Sequence, residues 1–167
     1  SSNIDTKIIS SGHSKLDKEF IQEVFIDIDK LIDLDFTEQE TKNRSEIDIY
    51  SVSFSSTFIS NVIGQAITKK NSGGSWWNIL WKNNDNHSDT TDLQKYTITH
   101  EIGHCLGLGH QGNYNGSATY GIDETYSNDS WQLSMMSYFD QSENTSITGS
   151  YAYYSSPMTA DILALGN

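Results

Sequence analysis

Five residues near the middle of the chain have the types and spacing to hold a metal ion and activate water. They are His100, Glu101, His104, Gly107 and His110, in the string His-Glu-Ile-Gly-His-Cys-Leu-Gly-Leu-Gly-His. His100 and His104 are one helical turn apart, so both imidazoles leave the same face of a helix. Gly107 lets the chain turn out of that helix, and His110 can then return to the same point. Three neutral imidazoles around one centre are the donor set of a catalytic zinc site, because they leave the fourth position open. Glu101, beside that centre, has the chemistry of a general base toward water. Two His and one Glu alone arise often by chance, and a surface helix with solvated histidines would explain them. A third His and a Gly at fixed places make the string specific.

The pattern H-E-x-x-H-x-x-G-x-x-H is the extended signature of the metzincin zinc peptidases. A second string, Ser134-Met135-Met136-Ser137-Tyr138, resembles the Met-turn of the serralysin family within them. Thr99–His104, Leu106-Gly107-Leu108, the loop with Gly112, Tyr114 and Asn115, and Ser156-Pro157 through Leu165 also resemble serralysins. The resemblance implies that Met136 lies as an apolar floor under the three imidazoles. It also implies that Tyr138 ligates the resting zinc through its phenol oxygen, then moves away to help bind the transition state. Gln111 and Cys105 depart from the family pattern, and no glycine-rich repeat of the family's calcium-binding β-roll is found in the sequence. Without their upstream partner, Met136 and Tyr138 would read as ordinary core residues.

The resemblance implies a zinc endopeptidase with one catalytic Zn2+ on His100, His104 and His110, and protein or peptide substrates. Glu101 would take the proton of the attacking water and hand it to the departing amine. The substrate is expected to lie extended and add as a strand to a sheet edge. The candidate edge is Ile63–Ile67, with Gly64, Gln65 and Ala66 facing the substrate; the alternative is an interior strand. Two other readings compete: a narrow-specificity toxin or effector metalloprotease, and a non-catalytic zinc-binding module. Glu101 argues against the last, because zinc binding alone does not need that carboxylate.

Elements must bring these residues together. Leu16, Phe20, Ile21, Val24, Phe25, Ile28, Leu31 and Ile32 recur at steps of three and four, predicting an amphipathic helix of about 18 residues. Leu34–Thr37, Ile47–Val52, Val62–Thr68 and Trp76–Trp81 read as strands. Residues 1–14 read as irregular, Glu38–Glu46 and Lys69–Ser75 as turns, and Asn83–Thr90 as a polar loop. Ser53–Ser60 carries no clear pattern. Thr91 or Asp92 caps a helix with Leu93, Tyr96 and Ile98 on its apolar side, which carries the histidines and ends at Gly107. Residues 111–130 form a long loop. Ser156-Pro157 opens a last helix with Pro at its first position, and Met158, Ile162, Leu163 and Leu165 on one side.

The expected fold is α+β: a metzincin-like catalytic domain with a twisted mixed sheet, a long N-terminal helix, an active-site helix and a C-terminal helix. One domain over residues 1–167 is expected, with an upper subdomain of about 1–107 and a lower one of about 108–167. A net charge of −12, from 10 basic and 22 acidic side chains, repels phosphate backbones and argues against a nucleic-acid partner. The chain has no apolar run long enough to span a membrane. Cys105 is the single cysteine, so no internal disulfide forms. It points about 100° away from His104 around the helix, and reads as a small apolar filler rather than a ligand. The remaining expectations are a secreted, monomeric protein, with a protein inhibitor or a pro-segment as the regulators to look for.

Overall fold

The computed structural model describes residues 7–41, 45–58, 62–83 and 90–166. Among them the elements run β1 (Ile8–Ser10), α1 (Lys15–Asp29), β2 (Ile47–Ser55), β3 (Gly64–Asn71), β4 (Gly74–Lys82), α2 (Asp92–Cys105) and α3 (Thr159–Leu165). The fold is α+β, with one mixed sheet of order β1-β2-β4-β3. β1 and β2 are antiparallel, β2 and β4 parallel, and β3 and β4 form an antiparallel hairpin.

α1 starts at a capping box: Ser14 Oγ accepts from Asp17 N–H, and the Asp17 carboxylate accepts from Ser14 N–H. Phe20, Val24 and Ile28, four apart, form its buried stripe. They pack with Ile79 and Trp81 of β4 and with Ile98 and Ile102 of α2. Burying each side chain of this size contributes about 1.5–3 kcal/mol. The helix ends at Asp29, short of the expected Ile32, where Leu31 N–H tightens onto the Ile28 carbonyl three residues back. A second cluster gathers Trp131, Met135, Met136 and Tyr154, with Tyr96 of α2 packed against it. α2 therefore runs between two cores.

Several expected elements differ. Residues 7–14 are not all irregular, since Ile8–Ser10 pairs with β2 as a short strand. Leu34–Thr37 is not a strand: Leu34 is exposed, while Phe36 packs on Phe25 at 5.0 Å between ring centroids. Two apolar residues in alternation are too few to specify a pairing partner. β2 continues through the Ser-rich tract to Ser55, where β1 supplies its ladder. The Lys69–Ser75 turn shrinks to Ser72-Gly73, because the hairpin pairs all the way to Asn71 and Gly74. There Asn71 Oδ1 accepts from Gly73 N–H at 2.7 Å. In α2, Leu93 is exposed rather than part of a buried face. α3 begins at Thr159, so Pro157 precedes the helix instead of opening it. Its buried residue is Asp161, and the apolar Ile162 and Leu163 are exposed. Residues 84–89 of the expected polar loop, 42–44 of the expected turn, 59–60 of the Ser-rich tract and 1–6 lie outside the described residues.

Candidate metal centre

α2 opens on Thr91, whose hydroxyl accepts from Gln94 N–H while Gln94 Oε1 accepts from Thr91 N–H. Toward its end the helix is buried all round, from Thr97 to Gly103, because the sheet side and the Met135-Met136 segment cover opposite faces. Gly103 makes the second contact possible. A Cβ there would stand 2.6 Å from Met136 Sδ and 2.7 Å from Met135 Cε. The helix ends at Cys105 with Leu106 as its cap; Gly107 just beyond takes φ +91°, and Leu108 N–H donates back to the Gly103 carbonyl at 3.0 Å. That turn directs His110 toward His100.

The three imidazoles converge. Their ligand atoms lie within 4.8 Å of one another. His100 Nδ1 donates to the Met135 carbonyl at 2.7 Å, His104 Nδ1 to Leu108 at 2.9 Å and His110 Nδ1 to Tyr114 at 2.8 Å. A carbonyl only accepts, so each Nδ1 carries the proton and each Nε2 presents a lone pair. His100 Nε2 and His110 Nε2 then stand 3.3 Å apart with no proton between them. Facing lone pairs at this distance repel, and a cation between them removes the repulsion. Burial, then the neighbouring His104, lowers the His100 pKa to about 3. Burial also lowers His104 and His110. All three are therefore neutral at neutral pH, which is the form that binds metal. The donor set fits a zinc ion.

Glu101 is 7% exposed. Burial pushes its carboxyl up to about 8, and a hydrogen bond from the Ala66 backbone N–H opposes that rise. β3 comes close enough for this because residue 64 is glycine. A Cβ on Gly64 would lie 2.4 Å from Thr97 Cγ2 and 2.7 Å from Glu101 Oε1. The close approach that Gly64 permits is thus one by α2.

β3 is the edge of the sheet among the described residues. Lys82 N–H donates to the Ile63 carbonyl, so odd residues of this strand bond to β4. The backbone groups of Gly64, Ala66 and Thr68 consequently point to the open edge. A cleft of about 910 Å³ runs between this edge and the histidines, bounded beyond them by Asn115–Ala118 and Tyr138. Apart from the histidines, Glu101 is the one acidic or basic side chain among its described lining residues, which hold no Asp, Lys or Arg. The Tyr138 ring packs 4.5 Å from His110, and its hydroxyl accepts from Gly116 N–H at 3.3 Å. Met136 is fully buried in the second cluster, against Gly103. Cys105 packs on the first core, and burial, then the Glu101 charge, raises its thiol to about 12.

Other residues support the site without having shown it in the sequence. Asp161 Oδ1 accepts from Ser134 Oγ, and Oδ2 accepts from Met135 N–H and Met158 N–H. It pins the segment that carries the His100 acceptor. Tyr114, whose carbonyl holds His110, donates its hydroxyl to Asp129 at 2.9 Å. Tyr96 packs beside His100, and Tyr154 packs beside Tyr96. Their partners are far away in sequence, and only the two motif strings gave a local signal.

The sequence profile of Metallo-peptidase family M12 matches residues 15–148. The chain is similar to Metallopeptidase AprA of Pseudomonas marginalis, 44% identical over 102 residues, covering 56% of this chain and 21% of that protein. It is similar to Serralysin C of Dickeya chrysanthemi, 42% identical over 99 residues, with 56% and 20% covered. It is also similar to Serralysin of Photorhabdus luminescens, 39% identical over 99 residues, with 55% and 20% covered. The matched region spans about a fifth of the length of these relatives.

Proposed function

This chain belongs to metallo-peptidase family M12, as a metzincin near the serralysins, and from that premise we propose that it is a zinc-dependent endopeptidase. The observation that carries the proposal is the convergence of three Nε2 lone pairs beside one buried carboxylate. His100, His104 and His110 would hold the ion. When bound, zinc supplies Lewis acidity that polarises a carbonyl and acidifies water.

The chain's own residues do the rest. Glu101 takes a proton from the attacking water at its carboxylate and passes it to the departing amine. Its raised pKa suits both roles, because the proton is neither held too weakly to accept nor too tightly to release. The open backbone groups of Gly64 and the Ala66 carbonyl bind the substrate as an added strand, with Gln65 fixing the register on β4. Tyr138 would help hold the ion through its phenol oxygen in the resting state and, once released, would donate to the developing oxyanion in place of its present bond from Gly116. Met136 floors the site. A cleft almost free of charged side chains favours uncharged substrate side chains beside the cut bond. The upper part, about 1–107, and the lower part, about 108–167, form the two walls. An extracellular place of action belongs to this reading, and a chain with one cysteine does not depend on disulfides there.

The test compares casein cleavage and zinc content in the parent, in a chelated sample and in Glu101→Ala. Zinc retained in Glu101→Ala with activity lost supports the proposal, whereas turnover retained in that variant removes Glu101 from the mechanism. Zinc bound by the parent without cleavage of casein or any denatured protein would overturn the general endopeptidase.

A further inference from the structure

The Met135 carbonyl oxygen carries two donors. One is His100 Nδ1–H at 2.7 Å, and the other is the hydroxyl of Tyr154. Tyr154 is 6% exposed, and its single proton is committed to that carbonyl. Its oxygen remains free to accept, and the hydroxyl of Tyr96 interacts with it. The rings of Tyr96 and Tyr154 lie 4.8 Å apart, and Tyr96 also stacks on His100 at 6.1 Å. A short relay thus runs from Tyr96 through Tyr154 to the oxygen that orients His100.

Tyr154 is not needed to place that oxygen. Asp161 Oδ2 holds Met135 N–H at 2.7 Å, and Ser134 Oγ holds Met136 N–H at 3.0 Å. The peptide is pinned on both sides without the tyrosine. What the second donor changes is the charge available to the first. A carbonyl that accepts from an N–H raises the basicity of the imidazole behind it. Two donors on one oxygen divide its density, so each receives less. His104 and His110 are not treated in this way, since among the described residues the carbonyls of Leu108 and Tyr114 have no second side-chain donor.

We propose that Tyr154, backed by Tyr96, is a positioning residue that weakens His100 as a metal donor by sharing the Met135 carbonyl with it. This rests on the reading that His100 holds the metal. The consequence is an unequal ligand set, with one imidazole tuned toward looser binding and greater Lewis acidity at the ion.

The test uses the whole chain with 15N-labelled histidine rings and two readouts. In metal-free protein, Tyr154→Phe moves the His100 Nδ1–H proton downfield, because the carbonyl is released to it alone. Zinc affinity, measured by chelator competition, tightens by about 3- to 10-fold. Tyr96→Phe moves both readouts the same way by less, since Tyr154 then donates more weakly; it also carries the test if Tyr154→Phe fails to fold. An unmoved ring proton, or zinc binding that weakens only in step with melting temperature, would overturn the role of Tyr154 and leave it a packing residue. Failure of the parent chain to bind zinc would instead sink the metalloprotease reading, so the two failures are distinguishable.

Discussion

The backbone N–H of Ala66 donates to the carboxylate of Glu101. One residue of the edge strand thus holds the candidate general base, while the backbone groups around it remain open to a substrate. Substrate binding and proton transfer are joined at a single strand, and the closeness rests on the missing side chain at Gly64.

Gly64→Ala tests that closeness. The new Cβ would overlap Thr97 and Glu101, at 2.4 and 2.7 Å, and the carboxylate has to move. Displacing a catalytic group by about 1 Å costs on the order of 100-fold in rate. Steady-state kinetics should show a fall in kcat with zinc content unchanged, because the three histidines are untouched. Unchanged kcat would show that Glu101 does not need its present position.

The alternation along β3 predicts a pattern in the substrate. A set of peptides, each N-methylated at one amide, should lose binding at every second position along the edge and not between. Each lost bond to the strand costs about 0.5–1.5 kcal/mol, a few-fold to about tenfold in KM. A KM that is insensitive at all positions rejects strand addition on Gly64 and Ala66.

Asp161 should matter far more than its place near the chain's end suggests. Asp161→Ala leaves three donors without their acceptor: the buried Ser134 Oγ–H and Met135 N–H, and the part-buried Met158 N–H. At about 1–3 kcal/mol for each unsatisfied group, the loss is about 3 kcal/mol or more in denaturant unfolding. Asp161→Asn should recover most of it, since its amide oxygen can serve both N–H groups while its NH2 donates to Ser134 Oγ. Equal stability of the two variants would refute the clamp.

The metal-free chain should lose stability through Glu101 between about pH 7.5 and 8. Folded Glu101 titrates near 8 against an ordinary 4.5, so across that interval the folded state holds more protons than the unfolded one. Stability therefore falls as pH rises toward 8. His100, His104 and His110 act oppositely: burial lowers all three in the folded state, so stability rises with pH while their unfolded forms, with an ordinary 6.5, still lose protons. About one pH unit above 6.5 that rise is over, and the Glu101 contribution dominates. Melting temperatures should decline from about pH 7.5 to 8 in the parent and much less in Glu101→Gln. Zinc should flatten the parent's decline by favouring the carboxylate.

The candidate metal centre was legible in the sequence because its parts are local. A helical turn fixes His100 to His104, and Gly107 announces the turn that brings back His110. The Ser134–Tyr138 string marked the segment that packs beneath α2, although nothing in it named Gly103 as the contact point. The first core was legible in the spacing of Phe20, Val24 and Ile28. Where a pattern was brief, as at Leu34–Thr37, the sequence misled, because two alternating residues do not specify a partner. The short β1 strand was missed for the same reason: its pairing lives in β2, not in itself.

By itself, then, the sequence determined the three converging histidines, the neighbouring carboxylate and the α+β layout, since helical and strand periodicity act over a few residues. Only the tertiary structure decided the rest. It set β3 at the edge, laid Ala66 on Glu101, and joined Asp161 and Tyr154 to the peptide that orients His100. Those bonds link residues from 19 to 35 positions apart along the chain. No local rule places such partners together, because their meeting depends on how the two cores pack on either side of α2.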